Sequence, residues 1–183
     1  MRTLEVRRHA ERARPEETLT EEGERGARRL GSQLGRFDRV VTSPLPRAIL
    51  TARAMGQEVD RVDERWASLG SAVEREVPWP SPFGAYVDAL DRRGAASALA
   101  DRLRDSAEGL ASELAEDGRG LILTHGGFPE LLAGVLAKPP DRLRAEEPVG
   151  YLEGIRIELR DEAIPDVRVV RVREWVRYGE ADP

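Results

Sequence analysis

The chain has 183 residues, 40% hydrophobic and 34% charged, which suits one folded domain with a heavily charged surface. It has no cysteine, so disulfides and thiolate chemistry are excluded, and its net charge of −5 argues against general nucleic-acid binding. Apolar runs are short, as at Gly120 to Leu123, and the first residues lack the apolar stretch of a secretion signal; a cytoplasmic protein with no membrane partner is expected.

In chain order, Thr3 to Arg8 alternates, with Leu4 and Val6 on one side, and predicts a first strand. A loop with Pro15 leads to Thr20, a good N-cap, after which Ala27, Leu30 and Leu34 fall at helical spacing and Gly35 closes the helix. Arg39 to Thr42 predicts a short buried strand. Pro46 suits the opening turn of a helix running from about Arg47 to Met55. Val59 to Val62 reads as a third short strand, and Asp63 to Pro82, with Trp66, Trp79 and three prolines, as irregular. Helical spacing returns at Ala85 to Leu90 and from Ala98 through Leu99, Leu103, Leu110 and Leu114. Leu121 to Thr124 is the clearest buried strand, followed by a helix from about Pro129 to Leu136. Tyr151 to Leu159 and Asp166 to Arg173 read as an antiparallel pair joined through Ile164-Pro165.

Strands alternating with helices predict a three-layer α/β/α sandwich around a mostly parallel sheet. One domain, residues 1–183, is expected, with a small helical, cap-like insertion at about 63–117.

Ligands of such sheets bind beyond the carboxyl ends of the strands. Three predicted strands end there on polar residues: Arg8-His9, Thr42-Ser43 with Arg47 just beyond, and Thr124-His125. His9 and His125 are the only histidines, so both fall at this edge. Arginine says less, because every basic residue except Lys138 is an arginine. Taken singly, Arg8 and Arg47 read as salt-bridge residues, Ser43 as a helix start and Gly126-Gly127 as a turn. Order and spacing change that reading.

Taken together, these segments resemble the histidine phosphatase superfamily, the phosphoglycerate-mutase-like group. Arg8-His9-Ala10-Glu11 is similar to its Arg-His-Gly signature, and Leu19-Thr20-Glu21-Glu22-Gly23 to its Leu-Thr-x-x-Gly landmark. Ser43-Pro44-Leu45-Pro46-Arg47-Ala48 with Thr51-Ala52, and Leu123-Thr124-His125-Gly126-Gly127, follow in the family's order. Ala10 replaces the commoner glycine, Arg12 stands where Ser or Thr is usual, and the asparagine expected a few residues later is missing. With its short His9–Leu19 loop, the chain looks closer to compact phosphatase members than to glycolytic mutases.

The resemblance implies a phosphatase that hydrolyses phosphomonoesters through a phosphohistidine, with His9 as nucleophile. Arg8, Arg47 and a protonated His125 would bind the phosphate, and Glu64 would be the general acid, with Glu74 and Glu76 behind it. No metal or other cofactor is implied. The partner would be a small phosphorylated substrate or a phosphoprotein. Rival readings are a phosphomutase, a non-catalytic phospho-ligand-binding module on the same fold, and a metal hydrolase with His9 and His125 as ligands; the last lacks a compact ligand motif.

Overall fold

The computed structural model describes residues 1–15, 17–160, 165–173 and 176. Within them, six strands form one sheet: β1 (Arg2–Arg8), β2 (Arg39–Thr42), β3 (Arg61–Val62), β4 (Arg119–Thr124), β5 (Gly154–Leu159) and β6 (Asp166–Val170). The order is β3-β2-β4-β1-β5-β6. The first four are parallel to their neighbours, whereas β5 runs antiparallel to β1 and β6 antiparallel to β5. The helices are α1 (Glu21–Leu34), α2 (Pro46–Ala54), α3 (Ser71–Glu76), α4 (Phe83–Asp91), α5 (Ala95–Ser112) and α6 (Phe128–Leu136).

Strand alternation creates two cores, one on each face of the sheet. Leu4, Val6, Val41, Ile122, Ile155 and Ile157 point to one face and pack with Leu99, Leu103 and Leu110 of α5 and with Leu131 and Leu132 of α6. Val40, Leu121 and Leu123 point to the other and pack with Ala27 and Leu30 of α1 and Ala48 and Ala52 of α2. The chain is thus an α/β sandwich of three layers, and β4, buried on both faces, lies between β2 and β1. On the α1/α2 side, β1 buries charge as well: Glu5, fully buried, accepts from Arg7 Nε at 2.5 Å and from Arg156 Nη2 at 2.7 Å.

Local chemistry explains the elements. Thr20 Oγ1 accepts from Gly23 N at 2.9 Å as the N-cap of α1, and Gly35 ends that helix at φ +70°. Where the structure departs from the sequence reading, nonlocal partners are responsible. The third strand shrinks to Arg61–Val62, an exposed edge. The stretch read as irregular contains a 3₁₀ turn, Glu64–Trp66, and α3, whose six residues are too few to show a period. α5 begins three residues before the expected Ala98, because the Glu76 carboxylate accepts from Ala95 N at 2.7 Å and Ala96 N at 3.0 Å. Tyr151 and Leu152, expected in β5, lie in the turn before it, and β6 stops at Val170 rather than Arg173. Ile164, in the expected β5–β6 loop, lies outside the described residues. No helix among the described residues is long and apolar enough to cross a membrane.

Candidate active site

β2, β4 and β1 are adjacent and parallel, so the residues after them converge on one edge. The ladder continues one residue past the strands: His9 N donates to Thr124 O, and Ser43 N to Leu123 O, both at 2.9 Å. His9 and His125 meet there edge to face, with ring centroids 5.2 Å apart.

Arg47, in the first turn of α2, reaches both rings. Its Nε donates to His9 Nε2 at 3.1 Å and to His125 Nδ1 at 3.2 Å. Both nitrogens are therefore acceptors, and this fixes the tautomers. His9 Nδ1–H donates to Ala10 O at 2.6 Å, and His125 Nε2–H donates to Ser43 Oγ at 2.7 Å. Thr51 joins α2 to the loop after β1, accepting from Ala10 N at 3.0 Å and donating to Arg47 O at 2.6 Å.

Arg8 projects from the end of β1. Its guanidinium lies 4.2 Å from the Tyr151 ring centroid and 5.0 Å from that of Trp79, and Nη1 donates to Val149 O at 3.2 Å. Gly126 makes room for this stack, since a Cβ there would fall 2.4 Å from the Trp79 indole. Gly127 follows at φ +91°, a conformation glycine adopts without strain.

These side chains line a cavity of about 270 Å³ together with Arg12, Arg14, Ser68, Leu69, Glu74 and Phe128. Larger depressions, about 460 Å³ beside Met1 and Leu159 and about 340 Å³ beside Leu19 and Leu50, have no histidine in their linings. Chemistry, rather than volume, marks the smaller one.

The cavity is cationic. Burial first, and then the charges of Arg12 and Arg8, pull the Arg47 guanidinium below its ordinary range. Glu17 pairs with Arg47 and, at 2.8 Å, with Arg12. Burial above all, then His125, Arg8 and Arg47, depresses His9 to about 2, despite the bond to Ala10 O. Burial, Arg47, Arg8 and Arg12 depress His125 to about 3. Both imidazoles are neutral in the free protein, and the protonated His125 expected from sequence belongs to the state with an anion bound. An anion against these groups acts in the opposite direction and favours its protonated form.

The structure brings together Arg8, His9, Arg47 and His125. It does not bring in Glu64, which is exposed on the 3₁₀ turn and outside the cavity lining. Asp63 beside it is engaged elsewhere, accepting from Ser106 Oγ at 3.1 Å and from Arg65 Nη2 at 2.7 Å. Glu76 caps α5. Glu74 is the carboxylate that lines the cavity among the described residues. Sequence reasoning passed over Trp79, in a stretch read as irregular, and Tyr151, read as the start of a strand. It placed Ser43 at the site edge but gave it no partner, and the structure shows it accepting from His125.

The model of the histidine phosphatase superfamily (branch 1) matches residues 5–164. No curated protein sequence matches the chain. Among solved structures, phosphoserine phosphatase from Entamoeba histolytica, in complex with 3-phosphoglyceric acid, superposes with a TM-score of 0.69 at 17% identity over 94% of this chain and 98% of that one. Phosphoglycerate mutase from Bacillus anthracis gives 0.66 at 20% identity over 97% and 96%. A mycobacterial glucosyl-3-phosphoglycerate phosphatase gives 0.65 at 22% over 93% and 98%. At these identities the likeness is one of fold. The family model spans nearly the whole chain and includes both histidines, and the chain belongs to the histidine phosphatase superfamily, whose phosphatase and phosphomutase-type enzymes transfer or hydrolyse phosphoryl groups.

Proposed function

We propose that the protein is a phosphatase that hydrolyses phosphomonoesters through a phosphohistidine on His9. The observation that carries this reading is the histidine pair: His9 Nδ1–H is committed to Ala10 O, which leaves the Nε2 lone pair facing the cationic cavity. An incoming phosphate takes over the Arg47 N–H now shared by the two rings and frees Nε2 to attack phosphorus in line. As the N–P bond forms, the bond to the ester oxygen breaks, and Glu74 supplies that oxygen with a proton. Water then attacks phosphorus, giving up a proton to Glu74; as the new P–O bond forms the N–P bond breaks, its electron pair returns to His9 Nε2, and inorganic phosphate leaves. Arg8, Arg47 and a protonated His125 stabilise charge on the equatorial oxygens throughout. The imidazolium formed at His9 keeps its Nδ1–H bond to Ala10 O. No step of this scheme calls on a metal.

We favour hydrolysis over transfer to a second substrate on the departures from the mutase pattern, Arg12 and the short His9–Leu19 loop. The test is phosphate release from a panel of phosphomonoesters, with chelator present throughout. Wild type should release phosphate from at least one ester and His9→Ala from none. Release by His9→Ala at near wild-type rate rejects the mechanism, and transfer to an added alcohol in place of release selects the mutase reading.

A further inference from the structure

Glu130, the third residue of α6, is fully buried and lies outside the cavity lining. Its Oε2 accepts from Gly127 N at 2.8 Å, which on its own is an ordinary cap of the helix start. Its Oε1 accepts from Val149 N at 2.9 Å, nineteen residues further along the chain. A cap needs no such second bond.

The two donors belong to the two segments that meet at Arg8. Gly127 continues the His125-Gly126 loop, and Gly126 packs against Trp79 on one side of the guanidinium. Val149 accepts from Arg8 Nη1 through its own carbonyl, and Tyr151, two residues on, lies under the guanidinium and 5.7 Å from the His9 ring. The arrangement has a cost: among the described residues no arginine lies within ion-pair distance of Glu130. Burial accordingly pushes its carboxyl up to about 7, against the pull of its backbone donors and of Arg8. Helix capping alone is achieved elsewhere in this chain by a partly exposed threonine, at Thr20.

We infer that Glu130 is a positioning residue for the phosphate clamp, joining the His125–Gly127 and Val149–Tyr151 segments so that Arg8 is held over the cavity. The inference rests on the phosphatase reading, because it assigns Arg8 to phosphate.

The test compares wild type, Glu130→Gln, Arg8→Ala and the double variant. Binding of inorganic phosphate is measured by calorimetry, and kcat and KM with p-nitrophenyl phosphate. Glutamine keeps the size but turns an amide N–H₂ toward one of the two donors, releasing one segment. Glu130→Gln should weaken phosphate binding and raise KM by about tenfold, the effect of one lost hydrogen bond to a charged group. If it acts through Arg8, the double variant should be no worse than Arg8→Ala, to within about twofold. Unchanged binding in Glu130→Gln, or losses that multiply, overturns the inference. If Glu130→Gln does not fold by circular dichroism, Glu130→Asp takes its place with the same expectation, since it keeps the charge but cannot span both donors. Loss of fold in both makes Glu130 a purely structural residue and also overturns it. A wild type that neither binds phosphate nor turns over ester refutes the phosphatase reading and this inference with it. An active wild type with multiplying losses refutes this inference alone.

Discussion

Arg47 offers one N–H to two imidazoles, and no other residue type does this as well. Its Nε–H is aimed by a planar group that also carries a permanent charge. Arg47→Ala should therefore lower kcat on p-nitrophenyl phosphate by about 100-fold, as loss of a transition-state charge donor does. Lysine should restore only part of it. An Arg47→Ala enzyme with wild-type kcat would remove Arg47 from the site. A second expectation separates the two carboxylates. An alkoxide needs a proton to leave and a nitrophenolate does not, so Glu74→Gln should depress alkyl phosphate hydrolysis about 100-fold more than aryl phosphate hydrolysis. Glu64→Gln, altering an exposed side chain outside the cavity, should leave that ratio unchanged. The reverse pattern would return the role to Glu64. Residue by residue, the site was legible where types are rare or spaced in a signature: His9, His125, Arg8 and Arg47. Glu74 was legible only as a second choice behind Glu64, because nothing local tells a carboxylate facing a cavity from one facing water.

At the scale of elements, the placement of the site follows from three neighbouring parallel strands whose carboxyl ends carry Ser43, His125 and His9. That was readable, because β1, β2 and β4 have strong patterns and the residues after them are polar. The segment from 63 to 82 was not. Its shape depends on distant partners: Trp66 Nε1 donates to Ser106 Oγ at 3.1 Å, and Thr124 Oγ1 donates to Trp66 O at 2.9 Å. The first bond ties the 3₁₀ turn to α5, and the second ties it to the end of β4, one residue before His125. The His125 loop is equally constrained. Gly126→Ala forces Trp79 aside, costing about 1–3 kcal/mol of stability by overpacking. Because Trp79 flanks Arg8, phosphate binding should weaken as well. The check is thermal unfolding alongside a phosphate titration, and a Gly126→Ala protein with unchanged phosphate affinity would show that Trp79 does not hold Arg8.

For the whole molecule, three buried groups near the site set the response to pH. A histidine with a depressed pKa binds its proton on unfolding, so it stabilises fully above the unfolded value near 6.5 and loses that contribution as pH falls toward the folded value. His9 at about 2 and His125 at about 3 both act this way. Glu130, raised to about 7 by burial, acts in the opposite sense: its contribution is full below the unfolded carboxyl value of 4.5 and is lost as pH rises through 7. Against burial, the backbone N–H groups of Val149, Glu130 and Gly127 and then the charge of Arg8 of β1 lower it, while burial first and the Glu130 charge second push up the phenol of Tyr86 in α4. Near pH 5.5 the two histidines outweigh the one carboxylate by one proton. Stability should rise there by about 1.4 kcal/mol per pH unit. Urea unfolding between pH 5 and 6 measures the slope. Adding phosphate should flatten it, since a bound anion favours protonated His125; a slope unchanged by phosphate would contradict the anion site.

The phosphohistidine on His9 is tested most directly by trapping it. The enzyme is mixed briefly with a turning-over phosphomonoester, quenched in alkali rather than acid, digested and mapped by mass spectrometry. The expected result is one acid-labile, alkali-stable phosphate on the peptide carrying His9, absent from His9→Ala. Turnover of the same ester with no phosphate on that peptide, or with the label on His125 or a carboxylate, would contradict it.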